Sequence, residues 1–357
     1  MVRSGGVENY MLNLASELSD EDFSIDLLIT DEKKEDEEYI DDIKNIFDNV
    51  YFIPSHKENL FKHIIDVYKV SKKYRHGIIH IHASDGFHAI DGIVGRLAGV
   101  RNIIYHSHNA SFKNGIGKAV GRLLYQISGR YYLACSKDAG RFLFGERIVT
   151  SSKFAVAKNG INEKKFKFSL QKRLTLRKEF NISEEVKLLG FVGRFSSEKN
   201  IDFIIRVFNK TLFYEPNTFL MLVGDGEEKQ NIKTLIDKYD MEEKVVFTGV
   251  RKDIDYIMSA LDVLLLPSHY EALGIVLIEA QTSGVKCIAS SNVSNEAKIS
   301  NELIYKDLSI NEWVDQIISF KALDNREYSY KNTEIAGYSL KKSANKVKKL
   351  YDTLLSN

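Results

Sequence analysis

The sequence has little cysteine, no long apolar run and almost no net charge. Two cysteines occur among 357 residues, Cys135 and Cys287, and each lies in an apolar stretch typical of a strand, which favours buried thiols in a reducing compartment over a disulfide framework. No segment approaches the roughly 18 apolar residues of a membrane-spanning helix, and no signal peptide is present. The formal net charge of +1 argues against nucleic acid as a partner. We therefore expect a cytoplasmic protein that at most contacts a membrane surface.

Short β-branched or aromatic runs alternate with amphipathic stretches, which is typical of parallel α/β domains. A chain of 357 residues with 44% apolar residues favours two domains. We predict a first domain over 1–162, a second over 163–336 and a basic helix over 337–357 that packs back on the first. The charged segment 163–185 has no strand character and is interpreted as a linker.

The same alternation locates the individual elements. Strands are predicted at 24–29, 78–82, 103–106, 131–135, 154–157, 187–192, 219–223, 245–247, 263–266 and 285–289. Helices are predicted at 7–18, 60–74, 86–97, 138–144, 201–212, 227–238, 254–261, 275–282, 312–320 and 340–355. No strand precedes the glycines at 5 and 6, although a Gly-Gly turn at a helix start normally follows a central strand. We therefore expect a first strand upstream of Met1.

The strongest local signal runs from Pro267 to Glu279. A buried strand leads into a tight loop and then into a helix that starts near Gly274, so that phosphate can bind the first amides of that helix. These amides belong to Leu273, Gly274, Ile275 and Val276. Glu271 can reach sugar hydroxyls, and Glu279, about one turn in, can accept hydrogen bonds from a ribose. The alternative is that Glu271 is an ordinary acid at a helix start and Glu279 a solvated one.

A second loop, 193–200, also lies between a buried strand and a helix. A diphosphate leaving group gains negative charge as its bond to the sugar breaks, and Arg194 and Lys199 can stabilise that charge without a metal ion. Gly193 begins this loop. The alternative is that Arg194 and Lys199 are two isolated loop cations whose charged ends are simply solvated.

The first half of the chain offers two weaker signals. Gly5 and Gly6 open the first helix and form a further amide-lined anion site, although a Gly-Gly pair alone is weak evidence. His108 follows a strand and can orient or polarise a hydroxyl, and the alternative is a structural histidine.

Metal and dinucleotide sites are less favoured. His80 with His82, and His106 with His108, are two residues apart, so each pair shares one strand face and could seed a metal site. No cysteine or carboxylate cluster lies nearby in sequence. The Asp-x-Asp pattern at 253–255 is interpreted as a helix cap. The 222–226 segment lacks the third spaced glycine and the later acid of a dinucleotide loop.

Together these segments resemble family 4 glycosyltransferases of the GT-B fold, nearest to the EpsF type of exopolysaccharide and capsule synthesis. The matching segments are 5–8, 106–109, 138–145, 159–161, 193–199, 224–226 and 271–279. The resemblance implies an α/β protein with two Rossmann-like domains whose parallel sheets face each other across a cleft. It also implies a retaining, metal-independent transferase without a cofactor, which uses a nucleotide sugar, most commonly a UDP-sugar, and a lipid-linked or growing saccharide acceptor.

The resemblance also implies roles for particular residues. Arg194 and Lys199 match the diphosphate clamp, Glu279 the ribose ligand, and Glu271 with 273–276 the sugar and phosphate loop. Val250 matches the backbone contact to the base. Gly6 and His108 match contributors from the first domain. Two other functions stay open: an inactive nucleotide-sugar-binding partner of another transferase, and a sugar-nucleotide epimerase of the same fold.

The segment 112–133 has the pattern of an interfacial helix. Its apolar residues share one face at helical spacing, and Lys118 and Arg122 lie four residues apart. Such a helix binds anionic lipid. The alternative is a helix that faces the core and leaves its basic residues in solvent.

Overall fold

The computed structural model describes residues 6–19, 23–30, 43–83, 85–108, 116–271, 273–320 and 326–356. The chain divides into two compact units, a first unit of Met1–Ile161 with Ser339–Asn357 and a second unit of Asn162–Tyr338. Gly5 lies outside the described residues, as do the side chains of Gly6 and of 116–119. The strand expected upstream of Met1 stays a prediction.

The first unit contains parallel strands in two sheets. Strands β1 (Asp26–Ile29) and β2 (Asn49–Phe52) pair with each other. A separate sheet has the order β3-β4-β5-β6, formed by Ile78–Ala83, Asn102–Ser107, Tyr131–Ala134 and Phe154–Val156. The helices are α1 (Gly6–Ser19), α2 (His56–Ser71), α3 (His88–Leu97), α4 (Ile116–Ser128), α5 (Lys137–Phe144) and α6 (Glu146–Val149).

Alternation along β4 directs its side chains to two cores. Tyr105 joins Tyr125 and Tyr132 in one cluster. The neighbouring Ile104 joins a second cluster on the other face, which includes Tyr10 of α1. Every residue of β4 is buried, as expected of a strand covered on both faces.

The second unit holds six parallel strands in the order β12-β11-β10-β7-β8-β9. They are β7 (Lys187–Val192), β8 (Thr218–Val223), β9 (Val245–Gly249), β10 (Val263–Leu266), β11 (Lys286–Ser290) and β12 (Leu303–Lys306). The helices are α7 (Leu170–Glu179), α8 (Ile201–Tyr214), α9 (Lys229–Lys238), α10 (Ile254–Ala260), α11 (Ile275–Thr282), α12 (Ile310–Ser319) and α13 (Tyr330–Ile335).

The C-terminal helix α14 (Leu340–Leu355) belongs to the first unit. Its residues Ala344, Val347 and Leu354 pack in the cluster that holds Tyr10. The chain enters it beside Gly160, where a Cβ would lie 2.9 Å from the backbone nitrogen of Leu340. Glycine is needed there because two backbone segments approach closely.

The interpretation of 163–185 as a linker is wrong, since α7 belongs to the second unit. Arg177 is buried, and its guanidinium donates to the Ala260 carbonyl at 3.1 Å and to Asp262 at 2.7 Å. Arg173 donates to Asp262 at 3.0 Å. These charge-assisted bonds anchor a helix that has almost no apolar face.

None of the helices in the described parts of the chain has the length and the apolar character needed to cross a bilayer. Both cysteines are free and buried, as predicted.

Candidate functional site

Two loops of the second unit leave the same edge of its sheet. Strands β7 and β10 are parallel neighbours, with Val263 opposite Leu189. The loop 193–200 follows β7, and the loop 267–274 follows β10. Because parallel strands end at one edge, both loops lie at the carboxyl edge, where open α/β sheets bind ligands.

Contacts join the two loops. The backbone N–H of His269 donates to the Glu198 carbonyl at 2.9 Å. The Asn200 side chain donates to the Pro267 carbonyl at 3.3 Å. Between these contacts, the Lys199 ammonium forms an ion pair with Glu271. Two residues that the sequence singled out separately are thus in contact.

Helix α11 begins immediately after Gly274, as predicted. Gly274 is at the N-cap position with φ +68°, a left-handed conformation that favours glycine. The first amides of a helix have no acceptor within it, so those of Ile275 and Val276 can bind an anion. Leu273 is buried just ahead of the turn.

Gly224 and Gly226, whose segment the sequence analysis rejected only as a dinucleotide loop, pack against the 193–200 loop. A Cβ on Gly224 would collide with the Gly193 carbonyl, and a Cβ on Gly226 would lie 2.8 Å from the backbone nitrogen of Phe195. The N–H of Phe195 donates to the Asp225 carbonyl at 2.9 Å. The signal in the sequence was the Gly-x-Gly spacing just after a strand. In this protein that spacing marks close backbone packing and not a dinucleotide-binding loop.

Arg194 and Val250 are exposed near the same edge of the sheet. The Arg194 side chain forms no hydrogen bond or ion pair with other described residues, so the structure does not bring its guanidinium into contact with Lys199. Val250 is 57% exposed and follows Gly249, which ends β9 with φ +72°. Both positions are accessible to a ligand.

Glu279 lies on α11, four residues after Ile275, and is partly buried. Burial raises the pKa of its carboxyl from 4.5 to about 8, because the ionised form loses hydration, and the charge of Lys165 opposes this only in part. A carboxyl with this pKa can accept hydrogen bonds from a diol as the anion or donate one as the acid.

Glu279→Gln should raise stability at alkaline pH. A folded-state pKa above the unfolded value means that Glu279 costs stability as the pH rises from about 4.5 to about 8. We expect the variant to be about 1–3 kcal/mol more stable than wild type at pH 8.5 and nearly equal at pH 4.5. Thermal unfolding of both proteins at both pH values measures the stability difference. A stability difference that does not change with pH would contradict the raised pKa of Glu279.

Asp253 and Asp255 lie at the start of α10 as predicted, at the N-cap and in the first turn, but the predicted capping bond is absent. Asp253 stands at the N-cap of α10 but makes no capping bond there; its carboxylate pairs with Arg251 at 2.6 Å. Asp255 is buried and pairs with Lys172 at 2.7 Å. Both carboxylates are therefore occupied by cations.

His108 lies in the first unit, directly after β4, and is buried. It bonds to Asn159 at 3.0 Å and to His82 at 2.8 Å. Desolvation lowers its pKa to about 4, so the ring is neutral at pH 7. Gly6 begins α1 in the same unit.

Two glycosyltransferase sequences are similar to this one over nearly the whole chain. The UDP-Gal:alpha-D-GlcNAc-diphosphoundecaprenol alpha-1,3-galactosyltransferase of Escherichia coli is 26% identical, with 99% of this chain and 95% of that protein covered. The putative glycosyltransferase EpsF of Bacillus subtilis (strain 168) is also 26% identical, with 98% of this chain and 93% of that protein covered.

Solved structures share the fold. HepE of Anabaena, crystallised with UDP and glucose, superimposes with a TM-score of 0.78 at 18% identity and covers 98% of this chain and 96% of that one. WaaG, a glycosyltransferase involved in lipopolysaccharide biosynthesis, gives a TM-score of 0.63 at 17% identity, covering 99% and 95%. The predicted fold class, α/β of the GT-B type with Rossmann-like parallel sheets, is confirmed.

Two family models match consecutive parts of the chain. The model described as Glycosyltransferase Family 4 matches residues 4–165. The model described as Glycosyl transferases group 1 matches residues 172–335. The first covers most of the first unit and the second most of the second unit. The chain therefore belongs to the family 4 glycosyltransferases.

Proposed function

We propose that this glycosyltransferase moves a sugar from a UDP-sugar to a lipid-linked or growing saccharide, in exopolysaccharide or capsule synthesis. The observation that carries the proposal is the ion pair of Lys199 with Glu271 beside the first turn of α11. A cation, a carboxylate and helix amides meet there at the carboxyl edge of one sheet. Diphosphate needs the cation and the amides, and sugar hydroxyls need the carboxylate.

The names of similar proteins support the choice of donor and acceptor. The relative from Escherichia coli is named for transfer from UDP-Gal to a diphosphoundecaprenol-linked sugar. The HepE structure contains UDP and glucose. A lipid-linked acceptor is consistent with activity at the cytoplasmic face of the plasma membrane.

The proposed chemistry needs only groups of this chain. The bond between the anomeric carbon and the diphosphate oxygen breaks, and Lys199, Arg194 and the amides of 275–276 stabilise the charge on the leaving diphosphate. The acceptor oxygen bonds to the anomeric carbon on the same face, and its proton passes to the leaving phosphate oxygen, so that configuration is retained. Glu271 binds the sugar hydroxyls, Glu279 the ribose and Val250 the base. Gly6 and His108 belong to the acceptor and sugar side.

We also propose that transfer needs no divalent metal and no cofactor. Asp253 and Asp255 are paired with Arg251 and Lys172, so this Asp-x-Asp sequence has no carboxylate left to hold a metal-bound diphosphate. The cations at 194 and 199 supply the positive charge instead.

A thermal-shift screen of nucleotides tests the donor site. We expect UDP and UDP-sugars to raise the unfolding midpoint, because ligand at 100 times its Kd stabilises the folded state by about 2.7 kcal/mol. The rise should be equal in excess EDTA. Stabilisation by no nucleotide, or only in the presence of Mg²⁺ or Mn²⁺, would contradict the proposed site.

We further propose that α4 contacts an anionic membrane. Val120, Leu123 and Ile127 lie on one face of α4 and are 53–61% exposed, so the helix does not bury all of its apolar residues in the core. Arg122 was expected to bind lipid, but its guanidinium donates to the carbonyls of Arg141 at 2.9 Å and Phe142 at 2.8 Å. The exposed apolar residues therefore provide the proposed contact, while the Lys118 side chain lies outside the described residues.

Vesicle flotation tests this contact. We expect binding to anionic vesicles that weakens with salt. Binding should fall by about 10-fold or more in Leu123→Ser/Ile127→Ser, because this variant lacks two exposed apolar side chains that would insert into the bilayer. The matched control is Leu170→Ser/Leu174→Ser, which alters an exposed apolar pair on α7. Equal binding by both double variants, or no binding by wild type, would overturn the contact.

A further inference from the structure

Four of the nine histidines of the chain lie together in the first unit. His80 and His82 are on β3, and His106 on β4 lies opposite His82 in the parallel register. His108 stacks on His82, with ring centroids 5.0 Å apart. Their side chains share one face of the sheet, where the ring of Tyr10 lies 5.5 Å from that of His106.

The hydrogen bonds determine where the protons are. Asn159 Oδ1 accepts from Nδ1–H of His108, so Nε2 of His108 accepts from Nδ1–H of His82. A neutral imidazole carries a proton on only one of its two ring nitrogens. The Nε2 of His82 is therefore a bare lone pair.

The other two rings also offer nitrogens for a ligand. Nε2 of His80 is buried and has no hydrogen-bond partner among the described residues, and its Nδ1 lies 2.6 Å from the Tyr351 hydroxyl. Both ring nitrogens of His106 are buried and make no hydrogen bond of normal length and angle with the described residues, although the backbone of Ala157 lies close to the ring. Leaving such groups without a partner costs about 1–3 kcal/mol each.

We propose that His80, His82 and His106 bind a divalent transition-metal ion of the Zn²⁺ type. One ligand atom from each of the three lies within 4.8 Å of the others. Tetrahedral coordination with Zn–N bonds of about 2.0–2.1 Å needs these atoms about 3.4 Å apart. The three rings are stacked in this structure, so they would have to turn toward the ion as it binds. Neutral imidazole is the ligating form, and three such ligands leave a fourth position for water.

The surrounding hydrogen bonds suit a metal site. With a metal on Nε2 of His80, its Nδ1–H would donate to the Tyr351 hydroxyl, which lies 2.6 Å away. His108 with Asn159 orients His82. The ion would join β3 to β4 and, through Tyr351, to α14. The site lies in the first unit, whereas the proposed diphosphate clamp lies in the second.

Metal analysis of the full chain tests the site. After incubation with ZnCl₂ and desalting, we expect one zinc per chain, and Co²⁺ should give the visible absorption of a four-coordinate ion. His80→Gln and His106→Gln should weaken zinc binding by about 100-fold or more, because each removes a direct ligand. Loss of a residue that only hydrogen-bonds to a ligand typically weakens metal binding by about 10–100-fold. The control is His76→Gln, an exposed histidine of the same unit.

A second variant keeps the test decisive if the buried substitutions impair folding. Tyr351→Phe removes only the partner of His80 and should weaken zinc binding by about 10-fold with the far-UV circular dichroism unchanged. Stripping zinc should lower the unfolding midpoint of wild type without reducing the increment from UDP. Wild type that retains no zinc, or equal zinc binding by wild type, Tyr351→Phe and the His80 and His106 variants, would overturn the proposal.

Discussion

Replacing Lys199 with alanine should lower the rate of sugar transfer by about 100-fold or more, the scale for losing one group that stabilises charge in the transition state. The affinity for UDP should fall as well, because the ground-state diphosphate meets the same ammonium. Stability should change little, since Lys199 and its partner Glu271 are both partly exposed and such ion pairs contribute about 0–1 kcal/mol.

Arg194→Ala should lower the rate of sugar transfer by the same factor as Lys199→Ala and should disturb the folded structure less. The Arg194 side chain is exposed and forms no bond with other described residues, so its loss leaves the folded protein unchanged. The matched control is Lys187→Ala. Lys187 pairs with Glu215 at 2.6 Å at the opposite end of β7. Near-native turnover by both the Lys199 and the Arg194 variants in steady-state assays would show that these residues do not form a diphosphate clamp.

The Gly226→Ala variant should lose both stability and donor binding. The added Cβ would lie 2.8 Å from the backbone nitrogen and the carbonyl carbon of Phe195, and backbone atoms cannot rotate away. We expect a loss of about 1–3 kcal/mol in the free energy of unfolding, typical of overpacking a buried contact. Because the loop that carries Arg194 must shift, UDP affinity should fall by about 10-fold or more.

Denaturant unfolding and UDP titration measure the two effects of Gly226→Ala. The control is Gly77→Ala, where the nearest atoms to the new Cβ lie at 3.5 Å and 3.7 Å, an ordinary contact distance. A Gly226→Ala protein with wild-type stability and UDP affinity would show that this packing does not position the loop.

Much of the fold could be predicted because each buried strand is a short apolar run. Strands such as Lys187–Val192 and Val263–Leu266 are found where the sequence analysis predicts them. The missed strands, Asn49–Phe52 and Leu303–Lys306, are at the edges of their sheets and only partly buried. An edge strand needs fewer apolar residues, so its signal in the sequence is weak.

Helix α7 was missed for a different reason. Its sequence carries five charged residues in ten, and Leu176 and Arg177 are its only buried side chains in the described structure. It is held in place by the hydrogen bonds of Arg173 and Arg177 to Asp262, a residue more than 80 positions further along the chain than either arginine. A periodicity argument detects apolar faces and does not detect an anchoring arginine.

The candidate site was predictable as two loops but not as one assembly. Both loops follow strands that are neighbours in the sheet yet about 70 residues apart in sequence, and only the strand order brings Lys199 to Glu271. The raised pKa of Glu279 likewise depends on tertiary burial. For His108, the sequence analysis identified the residue without its partners, Asn159 and His82.

A transfer assay with the full chain tests the central claim most directly. Radiolabelled UDP-sugars are supplied in turn with a diphosphoundecaprenol-linked saccharide in EDTA, and label in the lipid product is counted. The account predicts label in the lipid fraction with at least one UDP-sugar, an α-linked product from an α-linked donor, and about 100-fold less product with Lys199→Ala. UDP binding without transfer to any lipid-linked saccharide, or conversion of the donor sugar without an acceptor, would contradict it.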